Sequence, residues 1–231
     1  MGPPTDDEWI GPIALERGWP MPRATKLKEA SIVYSVHPGV AMVVKWVAEL
    51  ITKTGRSLEE WVSFIQKNGP PDLKDRREWL KTKYQIGTNT AWWLAERAGG
   101  QPTWDESPEA YLAIAPVYVD EMFAGAKARL RPLCDALFQL GRALDEDVKI
   151  CPCKTIIPFY RNRVIAQIKP ATRSRIDFGL ALGDFPFSAR LKDTGGMKKK
   201  DRITHKVEIS KPSDLDDELN AWLTAAYDRD G

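Results

Sequence analysis

The sequence lacks a run of apolar residues long enough to cross a membrane. A transmembrane helix needs roughly 18 or more consecutive apolar residues, and no segment of the 231-residue chain approaches that length. Residues 1–22 show neither a basic start followed by an apolar run nor an amphipathic leader rich in Arg and Ser, so no export signal is predicted. We therefore expect a soluble protein with no membrane partner, located in the cytoplasm by default.

Cysteine is scarce, and its spacing does not fit a disulfide framework or a zinc site. The three cysteines are Cys134, Cys151 and Cys153. An odd count, with one residue between two of them, predicts reduced thiols. The paired C-x-x-C or H-x-x-x-H spacing of tetrahedral zinc sites is absent. No metal and no cofactor are expected.

Charge of one sign is not in excess either. Lys and Arg number 34 against 32 Asp and Glu, a net charge of +2, so only a local cluster could indicate nucleic-acid binding. The sequence has no G-x-S-x-G or H-E-x-x-H motif, and residues 53–57 lack the upstream glycine of a phosphate-binding loop. Trp is abundant instead, with nine residues, which indicates densely packed helix contacts.

The first part of the chain predicts an N-terminal arm, residues 1–38, and a small helical domain, residues 39–99. Four helices are expected because apolar residues recur with helical spacing between start and stop signals. These signals are a stop at Gly55, a capping box of Ser57 and Glu60, an N-cap at Asp72 followed by an inward Leu73, a cap at Thr88-Asn89 and a stop at Gly99. The third and fourth helices have helix-turn-helix lengths, but the apolar bulk of residues 91–95 favours packing over DNA reading.

The second part, residues 107–231, predicts an α+β domain. Ser107-Pro108 is a typical helix start, and Pro116 is expected to break or kink that helix. Alternating or β-branched runs predict strands at residues 151–160, 164–169, 172–182 and 204–209, followed by a helix capped by Ser213 and Asp216. We therefore predict a mostly antiparallel sheet covered on one face by helices, with a long loop at residues 183–202.

A candidate binding face lies in the strand predicted at residues 172–182. A period of two separates its apolar side chains from its polar ones. The apolar set is Ile176, Phe178 and Leu180, and the polar set is Arg173, Arg175 and Asp177. The first face needs a core, and the second contacts water or a ligand.

Cations concentrate on this polar face and in the loop that follows. They are Lys154, Lys169, Arg173 and Arg175, with Lys198-Lys199-Lys200 and Arg202 in the loop. Guanidinium and ammonium groups suit phosphate, and the N–H groups of Gly195-Gly196 would add an anion-binding nest. The competing interpretation is a solvated face, because a half-exposed antiparallel sheet carries polar residues on its wet side.

A second hypothesis is a cysteine nucleophile. Cys153 is adjacent to Lys154, whose charge would lower a thiol pKa, and His205 is a candidate base. The strand period, however, groups His205 with Val207 on the core side. A partly buried histidine and inert thiols are therefore the competing interpretation.

Two stretches of the sequence carry a family resemblance. TGRSLEEWVSFIQKNGP at residues 54–70 and REWLKTKYQIGTNTAWWLAERA at residues 77–98 resemble a bacterial helical domain of unknown function. CPCKTIIPFYRNRVIAQIKPATRSRIDFGLALGD at residues 151–184, with DTGG at 193–196 and KKDRITHKV at 199–207, is similar to an α+β domain of unknown function. The resemblance implies that the two domains travel in tandem, and that the second also occurs at the C-termini of larger proteins, some resembling restriction endonucleases.

The resemblance implies no activity, but it implies a set of polar positions. These are Lys154, Thr155, Lys169, Thr172, Arg173, Arg175, Asp177, Gly195, Gly196, Asp201, Arg202, Thr204 and His205. A solvated face does not require particular polar residues, whereas the family pattern includes polar residues at these positions. The resemblance therefore favours the anionic site.

Our preferred hypothesis is a non-enzymatic, cytoplasmic binding module for an anionic ligand, either nucleic-acid phosphate or a phosphorylated small molecule. Its predicted ligand residues are Lys154, Thr155, Lys169, Thr172, Arg173, Arg175, Asp177, Gly195, Gly196, Lys200, Arg202 and His205. One alternative is an enzyme that uses Cys153, His205 and Asp177. Another is a protein-interaction module, which an exposed Trp patch would mark. The sequence leaves the oligomeric state open.

Overall fold

A computed structural model describes residues 34–100 and 107–231, so residues 1–33 of the predicted arm lie outside the described part. The predicted α+β class is confirmed by helices and an antiparallel sheet in one chain. The helices are α1 Pro38–Thr54, α2 Leu58–Asn68, α3 Leu73–Tyr84, α4 Thr88–Ala98, α5 Pro108–Met122, α6 Arg131–Leu144, α7 Gly196–Lys199 and α8 Asp217–Asp228. The strands are β1 Lys149–Ile150, β2 Ile157–Tyr160, β3 Val164–Pro170, β4 Ile176–Leu180, β5 Lys192–Asp193 and β6 His205–Ile209.

The chain folds into two compact units. The helical unit comprises Tyr34–Ala124 and Lys149–Ile157, and the sheet unit comprises Gly125–Val148 and Pro158–Gly231. The division of the sequence into residues 39–99 and 107–231 stays a prediction.

The helix ends in the helical unit follow local capping rules. Gly55 ends α1 with a left-handed φ of 76°, which a residue without Cβ adopts at little cost. Ser57 and Glu60 form the predicted capping box of α2, and Asp72 caps α3 through the N–H groups of residues 74 and 75. The predicted helix boundaries are confirmed at these three places because each depends on residues within one turn.

Other local predictions for this unit are wrong. The N-cap of α4 is Gly87 and makes no side-chain cap hydrogen bond, so Thr88-Asn89 already belong to the helix. Leu73 is 39% exposed because it is the first residue of α3, beyond the reach of the core. Helix α5 continues through Pro116, so the predicted break does not occur there, while the predicted kink stays a prediction. Proline removes one backbone donor, and the buried Tyr111 and Val119 on either side keep the flanking turns in place.

The tryptophans of the helical unit mostly fill its core. Trp61 is 2% exposed and Trp93 is 7% exposed, in a cluster with Ile65, Leu80 and Leu94. Among the described residues, the strongly exposed large apolar side chains of this unit are mostly aliphatic, and Trp92, at 46%, is the Trp in that set. A patch built from several exposed tryptophans is therefore not found in the described part of the chain.

The sheet has the strand order β1-β2-β3-β4-β6-β5. Helices α6 and α8 contact one another, and α8 contacts β3 and β4. The inner side chains Phe159, Phe178 and Val207 are fully buried. The free energy gained by burying them fixes the strand register, because a shift by one residue would move them to the other face. The other face, with its polar side chains, carries the candidate site.

Two predicted strands are shorter than expected. Residues 151–156 form a turn closed by the Cys153 N–H to Ile156 carbonyl hydrogen bond at 2.9 Å, because Pro152 has no N–H for a ladder. The strand predicted from residue 172 begins at Ile176, since the N–H groups of Ala171 and Thr172 both donate to the Arg175 carbonyl in a tight turn. The predicted loop at residues 183–202 contains β5 and α7.

Candidate functional site

Two rows of side chains cross the polar face of the sheet unit. The antiparallel pairing fixes both rows, because residues directly opposite one another point to the same side. The first row, in strand order, is Gln167, Gly179, Lys206 and Lys192. The second row is Lys169, Asp177 and Glu208. Their sequence neighbours Ile168, Phe178 and Val207 are fully buried on the opposite face.

The two carboxylates of this face are engaged by three cations. Asp177 lies 3.0 Å from the Nε of Arg175 and 2.7 Å from the Nζ of Lys206. Glu208 lies 3.2 Å from Arg175 Nη1 and 2.9 Å from Lys192 Nζ. The hydrogen bond from Lys192 is the main cause that lowers the pKa of Glu208. Arg175 is therefore neutralised inside the sheet, and it is not an open anion receptor.

The segment from Asp193 to Ile203 folds over this face and is closed by hydrogen bonds within itself and to Thr204. The Thr194 hydroxyl donates to the Ile203 carbonyl at 2.6 Å, and the Thr194 N–H donates to the Thr204 carbonyl at 3.1 Å. The Asp193 carboxylate accepts from the N–H of Gly195 at 2.6 Å. We call residues 193–203 the cover loop.

The predicted glycine nest is not available to an anion. The Gly195 N–H is bound to Asp193, and the Gly196 N–H donates to the Thr194 hydroxyl at 3.1 Å. Gly195 has a φ of 72°, which explains the glycine there, and a Cβ on Gly196 would lie 2.3 Å from the Ile203 carbonyl oxygen. Both glycines are therefore required by the geometry of the cover loop itself.

A cleft of ≈ 290 Å³ lies between the polar sheet face and the cover loop. It is lined by Gln167, Lys169, Asp177, Gly179, Asp193, Thr194, Gly196, Lys199, Asp201, Ile203 and Lys206. Three of these residues are acidic, and each carboxylate is already engaged: Asp177 by cations, Asp193 by the Gly195 N–H, and Asp201 by the Ile203 N–H at 3.1 Å.

Two of the three lysines that line the cleft have no ion pair. Lys206 is paired with Asp177, whereas no carboxylate lies within ion-pair distance of Lys169 or Lys199 in the ranges that the structure describes. The cleft is formally balanced in charge, with three lysines and three carboxylates in its lining. Asp193 and Asp201 accept neutral backbone N–H groups and keep their negative charge, while Lys169 and Lys199 offer ammonium donors without an ion pair in the described ranges.

The structure brings only part of the predicted set to this cleft. Lys169, Asp177 and Gly196 line it. Arg175 and Gly195 do not line the cleft. Arg175 forms ion pairs with Asp177 and Glu208, and Gly195 forms the turn of the cover loop through its N–H bond to Asp193. The sequence did not single out Gln167, Lys199 or Lys206 individually. The available signal for Lys206 was its alternation with buried Val207.

The other predicted residues have different positions. Thr172 accepts from the Ser174 N–H at 3.2 Å in the β3–β4 turn, which also carries the exposed Arg173. Arg202 donates to the Val164 carbonyl at 2.7 Å and pairs with buried Asp230. Lys200, with a φ of 55°, ends α7 outside the cleft lining. Lys154 and Thr155 are exposed residues of the helical unit.

His205 is buried on the core side of β6, not in the cleft. The Gly183 N–H donates to the Thr204 hydroxyl at 3.0 Å, and that hydroxyl lies 2.8 Å from His205 Nδ1. The Nε2 of His205 lies 2.9 Å from the Phe185 carbonyl oxygen, which can only accept, so Nε2 carries the proton. Burial lowers the pKa of His205, and the Phe185 carbonyl partly offsets this. The arrangement fits a neutral structural imidazole.

The thiols do not have the properties of nucleophiles. Burial raises the pKa of Cys153 to about 11 and that of Cys151 to about 12, whereas a reactive cysteine needs a lowered pKa. Burial also raises the pKa of Cys134. The described ranges contain no group of three or more His, Cys, Asp and Glu residues that could hold a metal ion. They also contain no helix long and apolar enough to span a membrane.

The cleft lies inside a segment that a protein-family comparison matches. Residues 119–230 match the family model described as Domain of unknown function (DUF5655). The DUF5655 match includes every residue that lines the cleft, so the site belongs to the matched segment. No curated protein and no solved structure matches the chain. The expectation of an uncharacterised domain in the C-terminal part is confirmed, without support for the tandem arrangement or the quoted motifs.

Proposed function

We propose that this protein binds a small phosphate-bearing molecule in the cleft between the polar sheet face and the cover loop, without transforming it. The observation that carries the proposal is the pair Lys169 and Lys199, which line one cleft without ion pairs in the described ranges while every lining carboxylate is engaged. Ammonium groups are strong donors to phosphate oxygens.

The size of the cleft favours a small ligand over a polynucleotide. Small-molecule sites are typically about 300 to 1,000 Å³, and a cleft of ≈ 290 Å³ lies just below the lower limit of this range. A net charge of +2 provides little long-range attraction for a polyanion. We therefore favour a phosphorylated small molecule, and nucleic-acid phosphate is the competing source of the same chemistry.

The amide of Gln167 and the hydrogen-bonded cover loop complete the proposed site. Gln167 lies in the first row opposite Gly179 and lines the cleft, where its side chain can donate or accept. The Gln167 amide would orient a ligand by hydrogen bonding to hydroxyl or amide groups that the ligand carries beside its phosphate. We also propose, as the sequence predicts, that the protein is a bacterial tandem-domain protein and that it is located in the cytoplasm.

Calorimetric titration with AMP, adenosine, inorganic phosphate and a short single-stranded oligonucleotide tests the proposal. We expect AMP and phosphate to bind more tightly than adenosine. Lys169→Gln and Lys199→Gln should each weaken AMP binding about tenfold, since a charge-assisted hydrogen bond contributes about 1.5 to 3 kcal/mol. Lys198→Gln is the matched control, because Lys198 is an exposed residue of the same short helix outside the cleft lining.

Two results would overturn the proposal. Equal affinity for AMP and adenosine would remove the role of the phosphate, and equal losses in the Lys198 and Lys199 variants would remove the role of the cleft. Tight oligonucleotide binding with a salt dependence much steeper than two phosphate contacts allow, about −0.7 per contact in log K against log salt, would assign the site to nucleic acid instead.

A further inference from the structure

The helical unit contains a second cavity, unrelated to the cleft of the sheet unit. Its volume is ≈ 430 Å³, which is within the range of sites for small organic ligands. It is formed by the end of α1, the following turn, the start of α2, the end of α3 and the start of α4. Its lining includes Trp46, Lys53, Thr54, Arg56, Trp61 and Tyr84. We call it the aromatic cavity.

The aromatic walls of this cavity are held in fixed positions. The indole N–H of Trp61 donates to the Thr54 hydroxyl at 2.7 Å, and that hydroxyl donates to the Leu50 carbonyl at 2.7 Å. The Tyr84 ring meets the Trp61 ring edge-on, with centroids 5.6 Å apart and planes at 82°. Rigid aromatic walls bind planar rings well because little side-chain entropy remains to be lost.

The cavity also has a cationic wall. The Arg56 guanidinium lies 4.8 Å from the centroid of Trp61 and 4.1 Å from that of Phe64, so it is held by two aromatic rings. Within residues 34–100 and 107–231, no carboxylate forms an ion pair with Arg56. Lys53 at the rim pairs with Glu49 at 2.5 Å in an exposed contact, which is weak in water.

Among the residues that the structure describes, none that lines the aromatic cavity is acidic. A closed packing gap between helices is lined by apolar groups, whereas the lining of the aromatic cavity includes the Arg56 guanidinium. Aromatic walls together with one available cation match a ligand that is both planar and negatively charged. A neutral aromatic ligand would leave the Arg56 charge unused, and a cationic ligand would be repelled by it.

We propose that the aromatic cavity is a binding site for a small aromatic carboxylate, with its ring against the half-buried Trp46 and Tyr84 and its carboxylate on the Arg56 guanidinium, while the buried Trp61 holds Tyr84 and Arg56 in place. Arginine suits this role because its planar fork forms bidentate hydrogen bonds with carboxylates. The site is separate from the phosphate cleft, so neither proposal depends on the other.

Ligand-observed NMR and calorimetry with 1-naphthoate and 1-naphthylmethylamine test this site. The two probes share one ring and carry opposite charges. We expect naphthoate to bind the wild-type protein at least tenfold more tightly than the amine. Arg56→Gln should weaken naphthoate binding about tenfold or more, while Arg56→Lys, which keeps the charge, should retain an intermediate affinity.

Arg77→Gln is the matched control, because Arg77 also stacks on a tryptophan, Trp92 at 5.9 Å, but does not line the cavity. Its affinity for naphthoate should equal that of the wild type. Thermal unfolding of each variant establishes that it is folded at the titration temperature. Absence of naphthoate binding to the wild type, equal binding of both probes, or equal losses in the Arg56 and Arg77 variants would overturn the proposal. AMP binding should be unchanged in Arg56→Gln, which separates this site from the cleft.

Discussion

Lys169 and Asp177 face one another across β3 and β4, yet they do not pair. The carboxylate of Asp177 is taken up by Arg175 and Lys206 at 3.0 and 2.7 Å. The availability of Lys169 is therefore a consequence of its neighbours. Neither charge counts nor the strand register can reveal it, because the register places Lys169 opposite Asp177, and only the side-chain contacts show that Arg175 and Lys206 take up this carboxylate.

At the same scale, His205 makes stability depend on pH. Its folded-state pKa is lowered by burial, whereas an unfolded histidine titrates near 6.5. Above about pH 7 both states are neutral and His205 contributes no pH dependence. As the pH falls through 6.5, the unfolded state takes up the proton first, so the free energy of unfolding decreases.

We expect urea unfolding of the wild type to show this loss of stability between pH 7 and pH 5.5, and His205→Gln to show a shallower dependence. The glutamine amide can still donate to the Phe185 carbonyl, as Nε2 does now. His37, whose pKa burial also lowers, titrates in both proteins and cancels from the difference. Parallel stability profiles for the two proteins would show that the imidazole titrates in the folded state as it does in solution.

At the scale of elements, the helices were more predictable than the cleft. The boundaries at Gly55, Ser57 and Asp72 depend on contacts within one turn, so composition and spacing were sufficient. The cover loop was predicted only as a loop, because β5 has two residues and α7 has four, too few for a periodic pattern. Its fold depends on the Thr194 to Ile203 hydrogen bond, which closes a contact nine residues apart.

The contact between cover loop and sheet can be tested at Gly179. A Cβ at this position would lie 2.6 Å from Ile203 Cγ2 and 3.0 Å from Gln167 Cγ. We expect Gly179→Ala to lower the free energy of unfolding by about 1 to 3 kcal/mol through overpacking. Ile203→Ala removes the Cγ2 methyl, so the double variant should be more stable than the sum of the two single losses. Additive losses in urea unfolding would mean that the loop does not lie on the sheet at Gly179.

At the scale of the whole molecule, the chain alternates between its two units. Residues 149–157 belong to the helical unit although residues 125–148 before them and 158–231 after them belong to the sheet unit. In the helical unit, the Tyr111 hydroxyl donates to the Pro152 carbonyl at 2.8 Å, and the Ser35 N–H donates to the Ile150 carbonyl at 2.9 Å. Periodicity predicted the fold class correctly. It could not assign residues 149–157 to the helical unit, because that assignment depends on contacts with residues far away in the sequence, such as Ser35 and Tyr111.

The central claim is that the cleft of the sheet unit binds a phosphate group, and NMR of the ¹⁵N-labelled full-length chain titrated with AMP tests it most directly. The account predicts saturable shift changes for amides of β3, β4 and the cover loop, centred on Lys169, Gly179 and Lys199, with adenosine causing much smaller changes. Shifts that do not saturate, that scatter over other exposed lysines, or that are confined to the helical unit would contradict it.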